Sequence, residues 1–364
     1  MDFHRVTSAS RDLIILKTKK LKQINKYFLW LFLHSNDGQK LILRTASQTG
    51  QPHLTLPAIY DLKIPNLENQ DIFEKIFNKS IELTNNSIKL YKNAETLLLK
   101  ELNLLNWQPK HQLSFAKNFS DTQAAERLDA EYFQLKYDEI LKIINKFDIT
   151  ILNKEFDILS GKNFEYTDDK EIRVIKTKQL SKRYLSFEVE SHTSNEIFKN
   201  SKLLEVNNRD VLFASMGVGS LGKTNIYYDI EKQNLNNFTI DSTLKIFREK
   251  NKAKINAETL AIYLSLYVGQ ELIYKHIIGT SGIISIYIDY LVNLSVPIIN
   301  NSTQQKIKNH VEIAHLSKLK SKNLLETAKK GVELAIENSE EKATKWINEE
   351  LEKINIELEA VNHG

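Results

Sequence analysis

Two stretches of this chain match each other at a constant offset of 231 positions, and the match limits the folds open to it. INKYFLWLFLHSNDGQKLI at 24–42 faces INAETLAIYLSLYVGQELI at 255–273. Ile24, Asn25, Leu29, Leu33, Gly38, Gln39, Leu41 and Ile42 recur as Ile255, Asn256, Leu260, Leu264, Gly269, Gln270, Leu272 and Ile273. Farther on, Thr49-Gly50 answers Ser281-Gly282, and Ile64-Pro65 answers Val296-Pro297. Amphipathic helices resemble one another by chance, but chance does not keep glycines and prolines in register. A long helical pattern follows each proline. The second copy has a long stretch in front of it, from about residue 125 to 239, and the first copy starts near the head of the chain. The expectation is one complete module preceded by the tail of another.

The helical patterns read as two rods. In 70–105, Ile76, Leu83, Leu90, Leu97 and Leu104 recur every seventh residue, with Phe73, Ser80, Ser87, Ala94 and Glu101 as weaker companions. In 303–350, Ile307, Val311 and Ala314, then Leu325, Ala328, Val332 and Ala335, keep the four–three alternation, which Lys318 and Ser321 interrupt. Each rod is about 50–65 Å long at a rise of about 1.5 Å per residue. Each stripe is narrow and needs one partner, so an antiparallel pair is expected. Residues 126–147 read as an amphipathic helix with Leu128, Tyr132, Leu135 and Ile140 on one face, and 256–277 as another helix. Between them, 149–250 is rich in β-branched and aromatic residues. EIRVIKTKQL, DVLFASM and LKIFRE read as strands. The fold class is therefore α+β: a partial first domain over 1–69, a spacer helix and linker over 70–124, a complete mixed module over 125–300, and a second spacer helix and tail over 301–364.

Composition removes several chemistries. There is no cysteine, so disulfides, thiolate metal sites and cysteine nucleophiles are excluded. The nine histidines are scattered; His310 and His315, five apart, miss the spacing of a helical metal pair and read as solvated. No metal and no cofactor is expected. No stretch is apolar enough to span a membrane, and the first residues do not read as a signal peptide, so a cytoplasmic protein is expected. Net charge is +4, too mild to imply a polyanion partner by itself. The basic excess lies in 1–150, with 21 basic against 17 acidic side chains, so any nucleic-acid contact must come from local clusters.

Residues 217–224, GVGSLGKT, match the phosphate-loop pattern. Such a loop works through the N-terminus of a following helix. Here NIYYDIEKQNLNNF follows, with paired tyrosines and many asparagines, a poor helix former. The glycines fit a turn between two strands better, where they supply positive φ. The Gly-x-Ser-x-Gly elbow is absent, and so is the Asn- or Asp-Pro-Pro-aromatic motif of amino-methyltransferases.

AERLDAEYFQLKYDEIL (125–141) resembles the entry segment of a target-recognition domain in the DNA-specificity subunit of type I restriction-modification systems. EIRVIKTKQLS (171–181), NRDVLFASMGVGSLGKTNI (208–226), YLSLYVGQELI (263–273), GTSGIISIYIDYLVNLSVPI (279–298) and QQKIKNHVEIAHLSKLKSKNLLETAKKGVELAIE (304–337) are similar to its successive signatures. The resemblance covers about 125–340 fully, and 9–105 resembles the back half of the same module. It implies two recognition domains on two antiparallel spacer helices, each reading half of a split target in double-stranded DNA, with adenine methyltransferase and restriction/translocase subunits as partners and no catalysis by the chain itself. The first domain departs from the pattern, because it lacks counterparts of the 171–226 strands and glycine loop. A rearranged gene, a subunit completed by another polypeptide, and a half-subunit that dimerises all remain open.

Lys176, Thr177, Lys178 and Gln179 after a strand are the first candidate DNA contacts, since Lys can meet phosphate or guanine edges and Thr or Gln other base edges. The second candidate is the loop from Ser215 to Thr224, in which Gly217, Gly219 and Gly222 let the backbone approach a phosphate. Ser220, Lys223 and Thr224 supply its polar groups. The third is Thr280, Ser281 and Gly282. Arg44, Gln48, Thr49 and Gly50 are remnants in the first copy, where Trp30 and Phe32 read as core. Three functional classes follow: a DNA-reading subunit without catalysis, a coiled-coil scaffold that binds partner subunits without reading DNA, and the disfavoured phosphate-loop enzyme.

Overall fold

The computed structural model describes residues 13–46, 53–187, 190–231, 237–279 and 284–358. The chain divides into two compact units: 1–86 with 317–364, and 87–316. The architecture is α+β, with two long helices, Asp71–Glu101 and Asn301–Glu337, that pack together.

In the unit of 1–86 and 317–364, helices Lys26–His34 and Asn36–Thr45 form the repeated pair. The core joins Phe28, Leu31 and Phe32 to Phe73 and Ile76, and to Leu324, Ala328 and Val332. Phe73 lies against Gly331 and Ser80 against Ser321, so the long helices run antiparallel here. The Ser80 and Ser321 hydroxyls are 2.9 Å apart, and Thr84 reaches Ser321 at 2.7 Å. Ser321 therefore continues the seam, where an interruption was expected. Its hydroxyl is satisfied across the interface, which makes its burial tolerable. The second rod also ends early. It stops at Glu337, and a separate helix, Glu340–Lys353, begins after Ser339, whose hydroxyl accepts from the Lys342 amide. A serine in that extended backbone is a strong N-cap and stops the preceding helix.

In the unit of 87–316, the long helices are again antiparallel: Tyr91 lies near His315, and Thr303 Oγ1 donates to the Glu101 carboxylate at 3.1 Å. The centre of the first helix's stripe is Phe73, Ile76 and Ser80 in one unit and Ser87, Tyr91, Ala94 and Leu98 in the other. Leu83, Leu90 and Leu97 flank it, half-buried, because a helix of 3.6 residues per turn drifts off a strict seven-residue row. Leu104 is buried beyond the helix end. On the second helix, Ile307, Val311, Ala314, Ala328 and Val332 are buried, and Leu325 is half-buried beside buried Leu324.

Nine strands form three sheets among the described residues. β1 (Asp148–Ile151) pairs antiparallel with β9 (Ser295–Ile298). A four-stranded sheet has the order β2 (Phe156–Ser160), β8 (Leu244–Glu249), β5 (Val211–Ala214), β6 (Thr224–Ile226). A third sheet has the order β4 (His192–Thr193), β3 (Ile172–Ile175), β7 (Phe238–Ile240), with β3 and β7 parallel. β3 stops at Ile175 rather than running through 180, because Thr177–Gln179 turns as a 3-10 helix. The helix expected over 126–147 begins only at Leu135 and ends at Ile144. Asp129 caps a 3-10 turn before it and leaves Leu128 81% exposed. The helix expected over 256–277 is two helices, Ala257–Ser265 and Tyr267–Lys275.

The repeat is structural. Asn25 caps its helix by accepting from the Tyr27 amide, and Asn256 by accepting from Thr259. The Asn25 amide donates to Gln70 Oε1 at 2.7 Å, and that of Asn256 to Gln304 Oε1 at 3.0 Å. The two glutamines return Nε2 bonds to the carbonyls of Gln23 and Lys254. A Cβ on Gly38 would lie 1.9 Å from the Phe32 carbonyl oxygen, and one on Gly269 2.2 Å from that of Tyr263. That close approach is why glycine recurs there.

Candidate nucleic-acid interface

The candidate contact residues with described positions lie in the unit of 87–316, apart from Arg44, which is exposed on helix Asn36–Thr45 of the other unit. Thr280, Ser281, Gly282, Gln48, Thr49 and Gly50 lie outside the described residues.

The glycine loop joins β5 to β6 as an antiparallel hairpin, with Val211 opposite Ile226 and Phe213 opposite Thr224. A strand follows the loop where a phosphate loop needs a helix. Gly217, Gly219 and Gly222 have φ of 102°, 71° and 84°, a region that side-chain-bearing residues seldom adopt. The hairpin closes on itself through Gly222 N to Ala214 O and Ala214 N to Lys223 O, both 2.9 Å. The Ser220 and Leu221 amides both turn back to the Gly217 carbonyl. Among the described residues, the amides of Val218 and Gly219 at the exposed tip have no acceptor. Lys223 is exposed, while Ser215 and Thr224 are buried. Ser215 Oγ donates to the Thr243 carbonyl and Thr224 Oγ1 to that of Gly222, so both hydroxyls hold the loop's shape.

Two clamps hold this hairpin. At the tip, Gln270 Nε2, from helix Tyr267–Lys275, donates to the Gly222 carbonyl at 2.9 Å and to that of Leu264. At the base, Arg209 donates Nε and Nη2 to the fully buried Glu258 carboxylate, both at 2.8 Å, and Nη2 also reaches Glu249. Tyr228 OH donates to Glu258 as well, at 3.0 Å. Burial alone would raise the Glu258 pKa, but the Arg209 hydrogen bonds outweigh it and hold the carboxyl below its ordinary range. Arg248 donates to Asp210 at 2.9 and 2.7 Å; there burial outweighs the ion pair and pushes Asp210 up. Loop tips fixed to packed helices in this way are held in one geometry before any ligand arrives.

The Lys176–Gln179 loop follows β3. Gln179 is buried and its Oε1 accepts from the Lys176 amide at 3.0 Å, so it holds the turn. Lys176 Nζ sits 4.1 Å from the centre of the Tyr166 ring, a cation–π pair. Lys178 is exposed and Thr177 half-exposed. Among the described residues no carboxylate pairs with Lys176, Lys178 or Lys223.

The roots of the three loops meet. The Thr243 carbonyl accepts from Ser215 N at 3.0 Å, and Asp241 N, two residues earlier, donates to Ile175 O at 3.4 Å. The Ser215 carbonyl accepts from Ile286 N at 3.1 Å, and Gly217 N donates to Ile284 O at 2.9 Å. The turn Asp241–Thr243 thus ties the end of β3 to the start of the glycine loop, which is tied in turn to the stem of the third loop. Sequence reading passed over this hub and over Tyr166, although Asp-Ser-Thr is a recognisable turn signal. His315, expected to be solvated, is 3% exposed among the rings of Tyr91, Tyr184 and Tyr228. Trp30, expected in the core, is 37% exposed, while Phe32 is buried.

No model of a known protein family matches the sequence, and no curated protein matches it. Among solved structures, the chain is similar to one from a study of complex assembly and conformational transition of the type I R-M system, with a TM-score of 0.36 and 15% identity over 86% of this chain and 71% of that one. It is also similar to the type I restriction-modification S subunit from M. genitalium, with a TM-score of 0.35 and 14% identity over 93% and 74%. No described helix is long and apolar enough to cross a membrane.

Proposed function

We propose that this chain is the sequence-reading, non-catalytic subunit of a type I restriction-modification complex. In this reading the unit of 87–316 lays its joined loops on one half of a split target in double-stranded DNA. The long helices carry the adenine methyltransferase subunits, and a restriction/translocase subunit joins them. The observation that carries the reading is the convergence of loop roots at Ser215 and Asp241–Thr243. It joins the loops that carry Lys176, Lys178 and Lys223, and the tip whose Val218 and Gly219 amides have no acceptor among the described residues; all of these groups are able to donate to phosphate. The successive signatures over 125–340 support it independently.

The test is co-expression with an adenine methyltransferase subunit of such a system. The reading expects the two to co-purify and to methylate one split sequence. A complex that assembles but methylates nothing would favour a scaffold that binds partners without reading DNA.

A further inference from the structure

The unit of 87–316 has a cavity of about 450 Å³ that none of the candidate DNA contacts lines. It lies between the end of helix Tyr267–Lys275, the short helix Ile288–Val292 and the start of β9. Buried Leu272 and Leu294 give it an apolar lining. His276 and Tyr290 line it as a stacked pair, with ring centroids 4.6 Å apart and 22° between the planes. Tyr287, 60% exposed, adds a third ring. Lys275 is half-buried, with Nζ 5.0 Å from the centre of the Tyr132 ring. Burial lowers its pKa, so its charge is held there at a cost. The carboxylates of the neighbouring helices are taken by other lysines: Asp138 pairs with Lys117 at 3.1 Å, and Glu131 and Glu271 pair with Lys136 at 3.0 and 2.9 Å. Asp289 lines the same cavity from the other helix, yet among the described residues it does not pair with Lys275 or with any other cation. The cavity therefore combines flat rings with a cation and an anion that stand apart.

We propose that this cavity binds a free nucleoside monophosphate whose base carries an exocyclic amino group, with the base against the tyrosine rings, the amino group donating to Asp289 and the phosphate held by Lys275. The rings call for a planar aromatic group, because stacking is their strongest contact with a ligand. Lys275 calls for an anion, which offsets the cost of its burial and gains a charge-assisted hydrogen bond. Asp289 accepts hydrogen bonds only, so the far edge of the ligand must donate. An aromatic ring with an amino group at one edge and a phosphate at the other end meets all three. The size is that of a small-molecule site, about 300–1,000 Å³. A duplex lies along exposed loops, whereas a concave, partly apolar cavity takes a whole small molecule. The inference does not rest on DNA reading.

The test is calorimetric titration of the full chain with adenosine monophosphate in the absence of DNA. Saturable binding is expected, weakened about tenfold by Lys275→Gln and several-fold by Tyr287→Ala. Inosine monophosphate, with a carbonyl in place of the amino group, should bind the parent chain about tenfold more weakly. Asp289→Asn should remove most of that discrimination, because an amide both donates and accepts. Lys275 has no ion pair to lose and Tyr287 is largely exposed, so both variants should keep the parent's thermal unfolding. The comparison of the two nucleotides on the parent chain decides the matter even if a variant fails to fold. No binding at millimolar adenosine monophosphate overturns the proposal, as does equal affinity for the two nucleotides or an affinity that Lys275→Gln leaves unchanged. A short duplex that displaces the nucleotide and itself binds more weakly to Lys275→Gln also overturns it, in favour of a DNA contact at this site.

Discussion

Gln270 and Gln39 occupy equivalent places in the repeat, yet replacing each by alanine has different consequences. Gln270 Nε2 donates to two carbonyls, Gly222 at 2.9 Å and the backbone of fully buried Leu264. Gln39 is exposed and, among the described residues, its side chain donates only to Leu33 O, at 2.5 Å. Removing a donor from a buried carbonyl costs its desolvation, about 1–3 kcal/mol, and an exposed carbonyl is re-satisfied by water. The Gly222 carbonyl keeps Thr224 Oγ1 as a donor, so Gln270→Ala is expected to cost about 1–2 kcal/mol, and Gln39→Ala about 0.5 kcal/mol. The larger loss falls on the hairpin tip. Amide hydrogen exchange reads it at Ala214 and Gly222, whose N–H groups close the loop. Gln270→Ala should speed exchange there roughly 5- to 30-fold, if opening of the hairpin becomes easier by that free energy. Gln39→Ala should leave those amides unchanged. Equal effects of the two substitutions, or no change at Gly222 in Gln270→Ala, would refute the view that the helix pair holds the glycine loop in place.

Other substitutions test the supports and the buried charges. Glu258→Gln removes the carboxylate that binds Arg209 twice and Tyr228 once; urea unfolding should show a loss of roughly 2–4 kcal/mol. His276 has its pKa lowered to about 4 by burial, Lys275 and Arg127. The folded form resists a proton that the unfolded form takes from about pH 6.5 downward, so stability falls from there to about pH 4 and levels off below. His276→Phe keeps the stacking on Tyr290 and should remove about 1–2 kcal/mol of the loss between pH 7 and 4.5, measured by urea unfolding at both values. An unaltered pH dependence in that variant would contradict the assignment.

What could be read in the sequence was what repeats or alternates locally. The offset of 231, LKIFRE as a strand and the glycine hairpin all have signals within a few residues of themselves. What could not be read depends on partners far along the chain. His315 is buried by tyrosines at 91, 184 and 228, and Ser321 is acceptable in the seam only because Ser80 faces it. The breaks at Ser35 and Leu266 within apolar helical stretches are set by Gly38 and Gly269, whose missing side chains allow one helix to turn against the end of the other. Among the candidate contacts, periodicity and composition could not separate exposed Lys178 and Lys223 from buried Gln179, Ser215 and Thr224, which shape the loops instead.

The claim that these loops meet DNA is tested most directly by a salt titration of duplex binding with the full chain and with the triple variant Lys176→Ala, Lys178→Ala, Lys223→Ala. Each lysine–phosphate contact adds about 0.9 to the slope of log affinity against log salt concentration. The account predicts weaker binding and a slope shallower by about 2–3 in the variant. An affinity and a slope equal to those of the parent chain would contradict it.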